Sequence, residues 1–315
     1  MKRTIPTTLC LFIAVLLAPT ADLYAINSNA GTSAFPFLKI NPGARAVAMG
    51  GAFTGLADDE MAVYYNPAGL VQLEGKRFMV EYHSYIADIN NGMIGVVLPM
   101  SLDRTIAFHI NYLNYGDFIE TDEAGNVLGE FSGSDMTFGV SYSMRIKPTI
   151  LIGATGKFIY ENLQDYSATG GAIDLGAKWV SDRNRYHAGI AIQNLGAQFS
   201  SLGEEKDNLP LTIRAGGAIR PRGLDLIASL DVALPTDNDP FVAVGLEYFK
   251  LDPVYLRLGW NSFGTNYRSE GSDDKWAGLS VGFGFDLWHT QLSYAFSPAA
   301  DLGDMHRITW QGSFK

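Results

Sequence analysis

From residue 77 to the last residue, the sequence repeats one pattern: segments of about ten residues in which apolar and polar side chains alternate. In one of them, Leu292, Tyr294 and Phe296 alternate with small or polar residues. A period of two is that of a β-strand with one apolar and one polar face. Fourteen such segments follow one another: 77–85, 92–100, 105–115, 135–146, 150–162, 170–180, 186–196, 211–220, 224–234, 241–250, 254–263, 276–286, 288–297 and 306–314. Each has the length that a tilted strand needs to cross a bilayer, so the pattern predicts an all-β, 14-stranded antiparallel transmembrane β-barrel.

The gaps between these segments sort by length and by charge. The odd-numbered gaps are longer than their even-numbered neighbours, and the longest, 116–134, holds 19 residues. The odd-numbered gaps carry 17 acidic and 3 basic residues, and the even-numbered gaps carry 3 acidic and 5 basic residues. Outer-membrane barrels have short periplasmic turns and longer extracellular loops. We therefore predict a protein of the cell outer membrane, in contact with its lipid and lipopolysaccharide, with periplasmic N- and C-termini and long acidic extracellular loops.

Charged residues within the segments fall on the polar face. A Lys or Arg that faces hydrocarbon at the middle of the bilayer costs about 2–4 kcal/mol, so these side chains are expected to point into the lumen. Their signs are mixed, which favours an internal network of paired charges over a path for a charged substrate. The residues are Arg145, Lys157, Asp174, Lys178, Arg214, Asp231, Glu247, Arg257, Asp286 and Arg307.

The N-terminus has the features of a secretory signal peptide. Lys2 and Arg3 precede an uncharged apolar run, and small residues extend to Ala25. This order of charge, apolar run and small residues predicts cleavage near Ala25. The chain divides into a signal peptide at 1–25, an N-terminal hatch or plug segment at 26–76 and a transmembrane barrel at 77–315. The only cysteine, Cys10, falls within the signal peptide, which excludes a disulfide scaffold.

The composition and motifs argue against nucleic-acid binding, catalysis and metal binding. A net charge of −10 and a pI near 4.9 lack the basic footprint of a nucleic-acid binder. Ser280 lies in a Gly-x-Ser-x-Gly run, but that motif requires a strand-to-helix turn, and no helix pattern follows. We therefore expect no enzyme activity, no cofactor and no metal site. The acidic clusters, which include Asp117, Glu120, Asp273 and Asp274, lack calcium-loop spacing and are interpreted as a solvated acidic rim.

Residues 26–76 do not alternate and are rich in small residues. Two runs stand out: Gly43-Ala44-Arg45-Ala46-Val47-Ala48-Met49-Gly50-Gly51-Ala52-Phe53, and Asp58-Asp59 followed by Asn66-Pro67-Ala68-Gly69-Leu70. Small residues allow a backbone to lie close against a wall, and Asn-Pro and Ala-Gly steps mark turns. A compact segment of this kind before a barrel indicates a lumen plug.

These two runs resemble the PorV/PorQ family of outer-membrane proteins, which is related to the long-chain fatty-acid transporter of the outer membrane. The resemblance rests on Gly43, Arg45, Gly50, Gly51, Asp58, Asp59, Asn66, Pro67, Ala68 and Gly69. Many relatives carry Trp before the Asn-Pro step, where this chain has Tyr65. The resemblance implies a fourteen-stranded barrel whose hatch fills the lumen, with Asn66, Pro67 and Ala68 in the hatch turn.

The resemblance also implies two functions. PorV-like proteins work with the type IX secretion system, where they receive exported proteins through C-terminal domains and pass them to surface attachment. The fatty-acid-transporter branch conducts hydrophobic small molecules by passive diffusion. Loops of at most 19 residues leave little material for a tall extracellular ligand site. We therefore favour an accessory of protein secretion, with exported proteins or other secretion-system components as partners, over a passive hydrophobic channel.

Overall fold

A computed structural model of the chain describes residues 29–267 and 276–315. The predicted signal peptide at 1–25 lies outside the described residues, as do Asp273 and Asp274. Fourteen antiparallel strands form a closed barrel. The strands are β1 (Lys76–Ser84), β2 (Asn90–Ser101), β3 (Arg104–Thr121), β4 (Val127–Lys147), β5 (Ile150–Leu163), β6 (Tyr166–Val180), β7 (Tyr186–Ser200), β8 (Thr212–Ile219), β9 (Leu226–Pro235), β10 (Phe241–Leu251), β11 (Val254–Asn261), β12 (Leu279–Leu287), β13 (Thr290–Pro298) and β14 (Asp304–Phe314).

Each strand pairs with its neighbours in sequence, and β1 closes the barrel by pairing with β14. The alternation of the sequence becomes an alternation of faces, since Glu81 of β1 is buried while its neighbours Val80 and Tyr82 are exposed. Outward-facing apolar side chains suit contact with lipid, and buried polar side chains point inward. The predicted fold class, a 14-stranded antiparallel barrel, is confirmed.

The two ends of the barrel differ. We call the end where β1 begins at Lys76 and β14 ends at Phe314 the proximal end, and the opposite end the distal end. Odd-numbered connections, such as that between β1 and β2, lie at the distal end. Even-numbered connections, such as the cis-proline turn at Asp252-Pro253, lie at the proximal end. The strand ends at Lys76 and Phe314 therefore share one side of the membrane.

The prediction of a 19-residue loop between the third and fourth segments is wrong. β3 continues to Thr121 and β4 begins at Val127, so most of the predicted loop is a paired hairpin, and Asp117 and Glu120 lie on β3. Beyond the membrane both faces of a strand meet water, which removes the polarity alternation while backbone pairing persists. Alternation alone therefore sets the strand ends too early.

The strict alternation of long and short connections is also wrong at two places. The six residues 220–225 that join β8 to β9 outnumber the five residues 236–240 that join β9 to β10. β5 and β6 extend toward each other and leave only Gln164 and Asp165 between them, fewer than the five residues 181–185 that join β6 to β7. Gln164 has a positive φ of 54°, as a tight hairpin turn requires. The wall formed by β3 to β7 is therefore taller than the opposite wall, and the loops alone underestimate the material at the distal end.

Residues 29–75 precede β1 and lie within the barrel; we call this the hatch. It contains two short helices, α1 (Ala44–Ala48) and α2 (Ala62–Tyr65), and 3-10 turns at Pro36–Lys39 and Pro67–Gln72. Three further 3-10 turns lie in connections at Ile86–Asp88, Phe263–Tyr267 and Ala300–Leu302. Among the described residues, no helix is long and apolar enough to cross a membrane.

The largest apolar core joins the hatch to the barrel wall. Phe53, Leu56, Met61 and Tyr65 of the hatch are fully buried and pack with Met79 of β1. Burying a large apolar side chain contributes about 1.5–3 kcal/mol, so this cluster favours a hatch that stays inside the barrel.

Candidate functional site

Arg45 of α1 bonds both to other residues of the hatch and to the barrel wall. Its guanidinium donates two hydrogen bonds to Glu247 of β10, at 2.7 and 2.8 Å. The same guanidinium lies 2.6 Å from Asp58 and 3.1 Å from Asp59. Arg257 of β11 donates to Glu247 as well, at 2.7 Å. Two-pronged arginine–carboxylate bonds are strong and directional, so Arg45 is the central anchor of the hatch.

Asp58 extends this network to a second cation of the wall. Its other carboxylate oxygen lies 2.8 Å from the guanidinium of Arg220, which follows β8. Burial alone would raise the pKa of Asp58, but Arg45 and two cations of the wall lower it to about 2. Asp58 is therefore ionised at neutral pH.

Glu60 of the hatch is buried beside a second acid. Its side chain has no exposed surface, and Arg77 of β1 donates to it at 2.5 Å. Burial raises the pKa of Glu60 to about 7; Asp59 adds to the rise and Arg77 opposes it. The folded protein thus holds this proton to a higher pH than an unfolded chain does.

The stability of the variant Glu60→Gln is expected to depend less on pH than that of the wild type. An unfolded glutamate releases its proton near pH 4.5, so stability contributed by the protonated form is lost as pH rises from about 4.5 to about 7. The shift corresponds to at most about 3 kcal/mol. The melting temperature in detergent should fall more between about pH 5 and about pH 8 for the wild type than for Glu60→Gln. The exposed Glu74→Gln is the control and should behave like the wild type. Equal falls in all three proteins would show that Glu60 is not the source of the pH dependence.

Polar side chains of the wall bond the backbone of the hatch. Asp231 of β9 accepts hydrogen bonds from the N–H groups of Phe53 and Thr54, at 3.1 and 2.8 Å. Lys178 of β6 donates to the carbonyl oxygen of Ala57 at 2.9 Å. Buried backbone groups need such partners when they are not in regular secondary structure. These two wall charges therefore satisfy irregular hatch backbone that would otherwise be costly to bury.

The predicted turn at Asn66 lies against β6. Asn66 accepts a hydrogen bond from the N–H of Ala68 at 3.2 Å. Its amide donates to the carbonyl oxygens of Thr54 and of Ala177 in β6, at 2.9 and 3.1 Å. Pro67 follows it at the start of a 3-10 turn, where the missing N–H is not needed. Asn66 is thus a bridge between two parts of the hatch and the wall.

Glycines let the hatch backbone lie against the wall. A Cβ on Gly259 of β11 would overlap the backbone of Met49 and Gly50. A Cβ on Gly189 of β7 would overlap the carbonyl oxygen of Thr54. Four more wall glycines face hatch atoms in the same way: Gly153, Gly176, Gly245 and Gly282. Side chains at these positions would push the hatch off the wall.

Most of the predicted lumen charges are buried and paired. Lys157 of β5 and Asp174 of β6 are 2.6 Å apart. Arg214 of β8 lies 3.6 Å from Asp231 and donates to the carbonyl oxygen of Gly51 in the hatch, at 2.7 Å. With the Glu247 cluster, these contacts form internal pairs between neighbouring strands.

Three further predicted lumen charges lie outside these pairs. Arg145 is at the proximal rim, 3.5 Å from the exposed Asp103 of the β2–β3 turn. Asp286 accepts hydrogen bonds from Tyr255 and Gln291, near the proximal rim. Arg307 is buried on the inward face of β14 and lines the cavity at the distal end. The geometry therefore brings together only part of the set that the sequence groups by polarity.

The sequence-based selection missed several residues that hold the hatch. Glu81 accepts a hydrogen bond from the N–H of Gly43 at 2.5 Å. It shares the inward face of β1 with Met79, so the alternation of that segment could have identified it. Glu60, adjacent to the predicted Asp58-Asp59 pair, was also missed. Neither residue belongs to a recognisable motif, so a search for motifs does not identify them.

The start of the hatch is tied to the distal connections. Lys39 lies 2.6 Å from Asp237 in the β9–β10 connection, and Ser33 donates to the same carboxylate at 2.6 Å. The N–H of Ala34 donates to the carbonyl oxygen of Asn208 at 3.0 Å. Burial opposes ionisation of Asp237, but the hydrogen bonds from Lys39 and Ser33 keep its pKa below the usual range. No local motif in the sequence signals this distal contact.

The hatch lies between two cavities. The distal cavity, of about 330 Å³, has a mostly apolar surface to which Leu38, Val47, Tyr64 and Phe241 contribute, and its polar lining includes Lys39, Arg214 and Arg307. The proximal cavity, of about 580 Å³, is lined by charged and polar side chains, among them Arg45, Asp59, Arg220, Glu247 and Asp286. Among the described residues the two cavities share no lining residue, so the hatch separates a mainly apolar distal compartment from a charged proximal one.

The Gly-x-Ser-x-Gly run does not form a nucleophile turn. Ser280 lies on β12, and its hydroxyl shares a hydrogen bond of 2.8 Å with Ser297 of β13. His289 is exposed in the turn between these strands at the opposite end of β12. The strained strand-to-helix geometry that this motif needs is not present at Ser280.

Comparisons with known proteins relate the chain to outer-membrane barrels. A family model described as "Type IX secretion system protein PorV" matches residues 24–251. No curated protein matches the chain.

Solved structures share the fold at low sequence identity. The toluene transporter TodX of Pseudomonas putida aligns with a TM-score of 0.60 and 12% identity, over 86% of this chain and 96% of that one. The monoaromatic hydrocarbon channel CymD aligns with a TM-score of 0.57 and 12% identity, over 86% and 97%. A FadL homologue of Pseudomonas aeruginosa aligns with a TM-score of 0.55 and 12% identity, over 87% and 99%. At this identity the likeness concerns the fold alone.

Proposed function

The chain belongs to the PorV family of type IX secretion system proteins, and we propose that it is a secretion accessory that binds exported proteins and passes them to surface attachment. The observation that carries the proposal is the family match over residues 24–251, which covers the hatch motifs and the strands from β1 to β10. The protein is an outer-membrane barrel, and the families that resemble it are secretion and transport proteins, not enzymes.

The anchored hatch supports a binding role. Arg45 and Asp58 are held by charges of the wall, and Asn66 joins the hatch to β6. An open pore needs a continuous polar passage, whereas here buried ion pairs and an apolar core lie across the lumen between the two cavities. A barrel closed in this way offers surfaces to partners rather than an open aqueous route.

For this role we place the distal end outside the cell and the proximal end in the periplasm. The acidic distal connections and the tall β3–β7 wall then face the cell exterior, where exported proteins emerge. Outer-membrane lipid and lipopolysaccharide surround the apolar outer surface. The division into signal peptide, hatch and barrel remains part of this proposal.

A passive channel for hydrophobic small molecules is the second candidate. It is favoured by the fold shared with proteins described as hydrocarbon channels and by the apolar distal cavity. The volume of about 330 Å³ is at the lower end of the usual range for small-molecule sites. Passage would require the hatch to release contacts that hold it to the wall.

Deletion of the gene, with complementation, tests the proposal. We expect the deletion strain to lose exported proteins from the cell surface by at least about tenfold and to retain them in the periplasm, as quantitative mass spectrometry of both fractions would show. Uptake of a labelled fatty acid and of toluene by the same strains tests the second candidate. Normal surface proteins with reduced uptake would contradict the secretion role.

A further inference from the structure

The β3–β4 hairpin rises above its neighbours at the distal end. β3 has 18 residues and β4 has 21, about twice the 9–11 that a tilted strand needs to cross a bilayer. The lipid-facing apolar side chains of these strands reach Tyr112 and Met136. Beyond them come the paired polar residues Asn114 and Ser134. The hairpin from 115 to 132 therefore projects beyond the hydrocarbon.

Both edges of the projecting hairpin lack a neighbouring strand in the described part of the chain. β2 pairs with β3 only as far as Asn114, and β5 pairs with β4 only as far as Gly133, beyond which only the N–H of Gln164 reaches the hairpin, at the carbonyl oxygen of Ser132. A register shift between Asn114 and Asp117 separates the hairpin from the barrel part of β3. Free strand edges present backbone donors and acceptors that another extended chain can bind.

The hairpin also exposes apolar side chains. Ile119, Val127 and Leu128 are each more than 60% exposed. Phe118 and Phe131 stack on each other with ring centroids 5.1 Å apart, and this pair forms a flat aromatic face. Exposed apolar groups that lie beyond the lipid are typical of protein-binding surfaces. The aromatic pair would supply the central contact of such an interface.

The charge of the hairpin indicates the charge of its partner. Between Arg104 and Arg145 there is no lysine or arginine. The acidic residues of the hairpin are Asp117, Glu120, Asp122, Glu123 and Glu130. A surface of this sign attracts cationic groups and is repelled by the anionic phosphates of lipopolysaccharide. Its complement is a basic protein surface with apolar side chains among the positive charges.

We propose that the β3–β4 hairpin, residues 115–132, is the surface by which this protein holds the exported protein, through a basic, strand-edged surface of that partner. The inference rests on the proposed secretion function and specifies where and by what chemistry binding occurs. The aromatic pair and free edges supply the contact area. The acidic side chains around them select positively charged partners and speed their encounter.

Direct binding measurements test this surface. The probes are purified C-terminal domains of exported proteins from the same genome, and the receptor is the full-length barrel in detergent. One variant carries Asp117→Asn, Glu120→Gln and Glu123→Gln; a second carries Phe118→Ser and Leu128→Ser. The control, Glu204→Gln with Glu205→Gln and Asp207→Asn, removes equal charge from the β7–β8 connection at the same end. Retained heat-modifiable migration on gels shows that each barrel is folded.

We expect both hairpin variants to weaken binding at least tenfold and the control to change it less than twofold. Wild-type affinity should fall when salt rises from about 50 to about 300 mM, and the variant with three neutralised acids should show a weaker dependence, because Asp122 and Glu130 keep their charge. Hairpin variants that bind like the wild type overturn the hairpin's role while the secretion role stands. Wild-type protein that binds no domain contradicts the secretion role and the hairpin's role together. Binding to lipopolysaccharide vesicles in place of the domains also overturns the inference.

Discussion

Replacing Arg45 by alanine is expected to loosen the hatch and to destabilise the protein by about 3–5 kcal/mol, the usual cost of removing one partner from a buried ion pair. The substitution leaves Glu247 with Arg257 alone and Asp59 without its cation. Asp58 keeps Arg220. The carboxylates that lose a partner remain buried, which is why the effect exceeds that of a surface charge.

Two measurements follow the loosening. Denaturant unfolding in detergent reports the stability, and maleimide labelling of a Thr54→Cys background reports opening of the hatch. Thr54 is fully buried, and the only native cysteine, Cys10, lies in the predicted signal peptide. We expect labelling of Arg45→Ala at least about tenfold faster than that of the background alone. The exposed Arg222→Ala should behave like the background, and an Arg45→Ala protein that unfolds and labels normally would show that Arg45 is no anchor.

A second large effect is expected at Gly259. In Gly259→Ala the new Cβ would overlap the backbone of Met49 and Gly50, and neither backbone can rotate away as a flexible side chain can. Forcing extra atoms into a packed contact costs about 1–3 kcal/mol, and the upper part of this range applies when backbone must move. We expect a matching loss of stability and faster labelling of Thr54→Cys, because the hatch must shift from β11.

Gly156→Ala is the matched control for Gly259→Ala. Both are glycines within strands, but a Cβ on Gly156 meets no atom within 4 Å. Its stability and labelling should remain those of the background. If Gly156→Ala and Gly259→Ala lost the same stability, the cost would belong to strand conformation and not to the contact with the hatch.

The barrel follows from the sequence because the bilayer imposes a simple rule. Every membrane-crossing strand must be apolar outside and is polar inside, so segments such as 241–250 and 254–263 carry a readable period of two. The same rule places Glu247 and Arg257 in the lumen. It lapses beyond the lipid, which is why the extension of β3 and β4 to the hairpin at 115–132 was not predicted.

The position of the hatch is harder to predict from the sequence, for a physical reason. Its chain has little regular structure, and its position depends on single contacts with distant strands, such as those of Arg45 with Glu247 and Lys39 with Asp237. The Gly- and Asn-Pro-rich runs indicate a compact segment and its family. Which wall residue meets which hatch residue depends on barrel closure, which local patterns do not specify. Arg145 illustrates this, since its polarity matches the lumen but its partner lies at the rim.

The most direct test of the account is affinity isolation of the tagged protein from its native outer membrane, with mass spectrometry of bound proteins and extraction of bound lipids from the same sample. A secretion accessory with an anchored hatch should retain exported proteins that share a C-terminal domain, and a hairpin variant should retain fewer of them. Recovery of a fatty acid or another apolar ligand in the barrel, with no protein partner, would contradict the account and favour the hydrophobic channel.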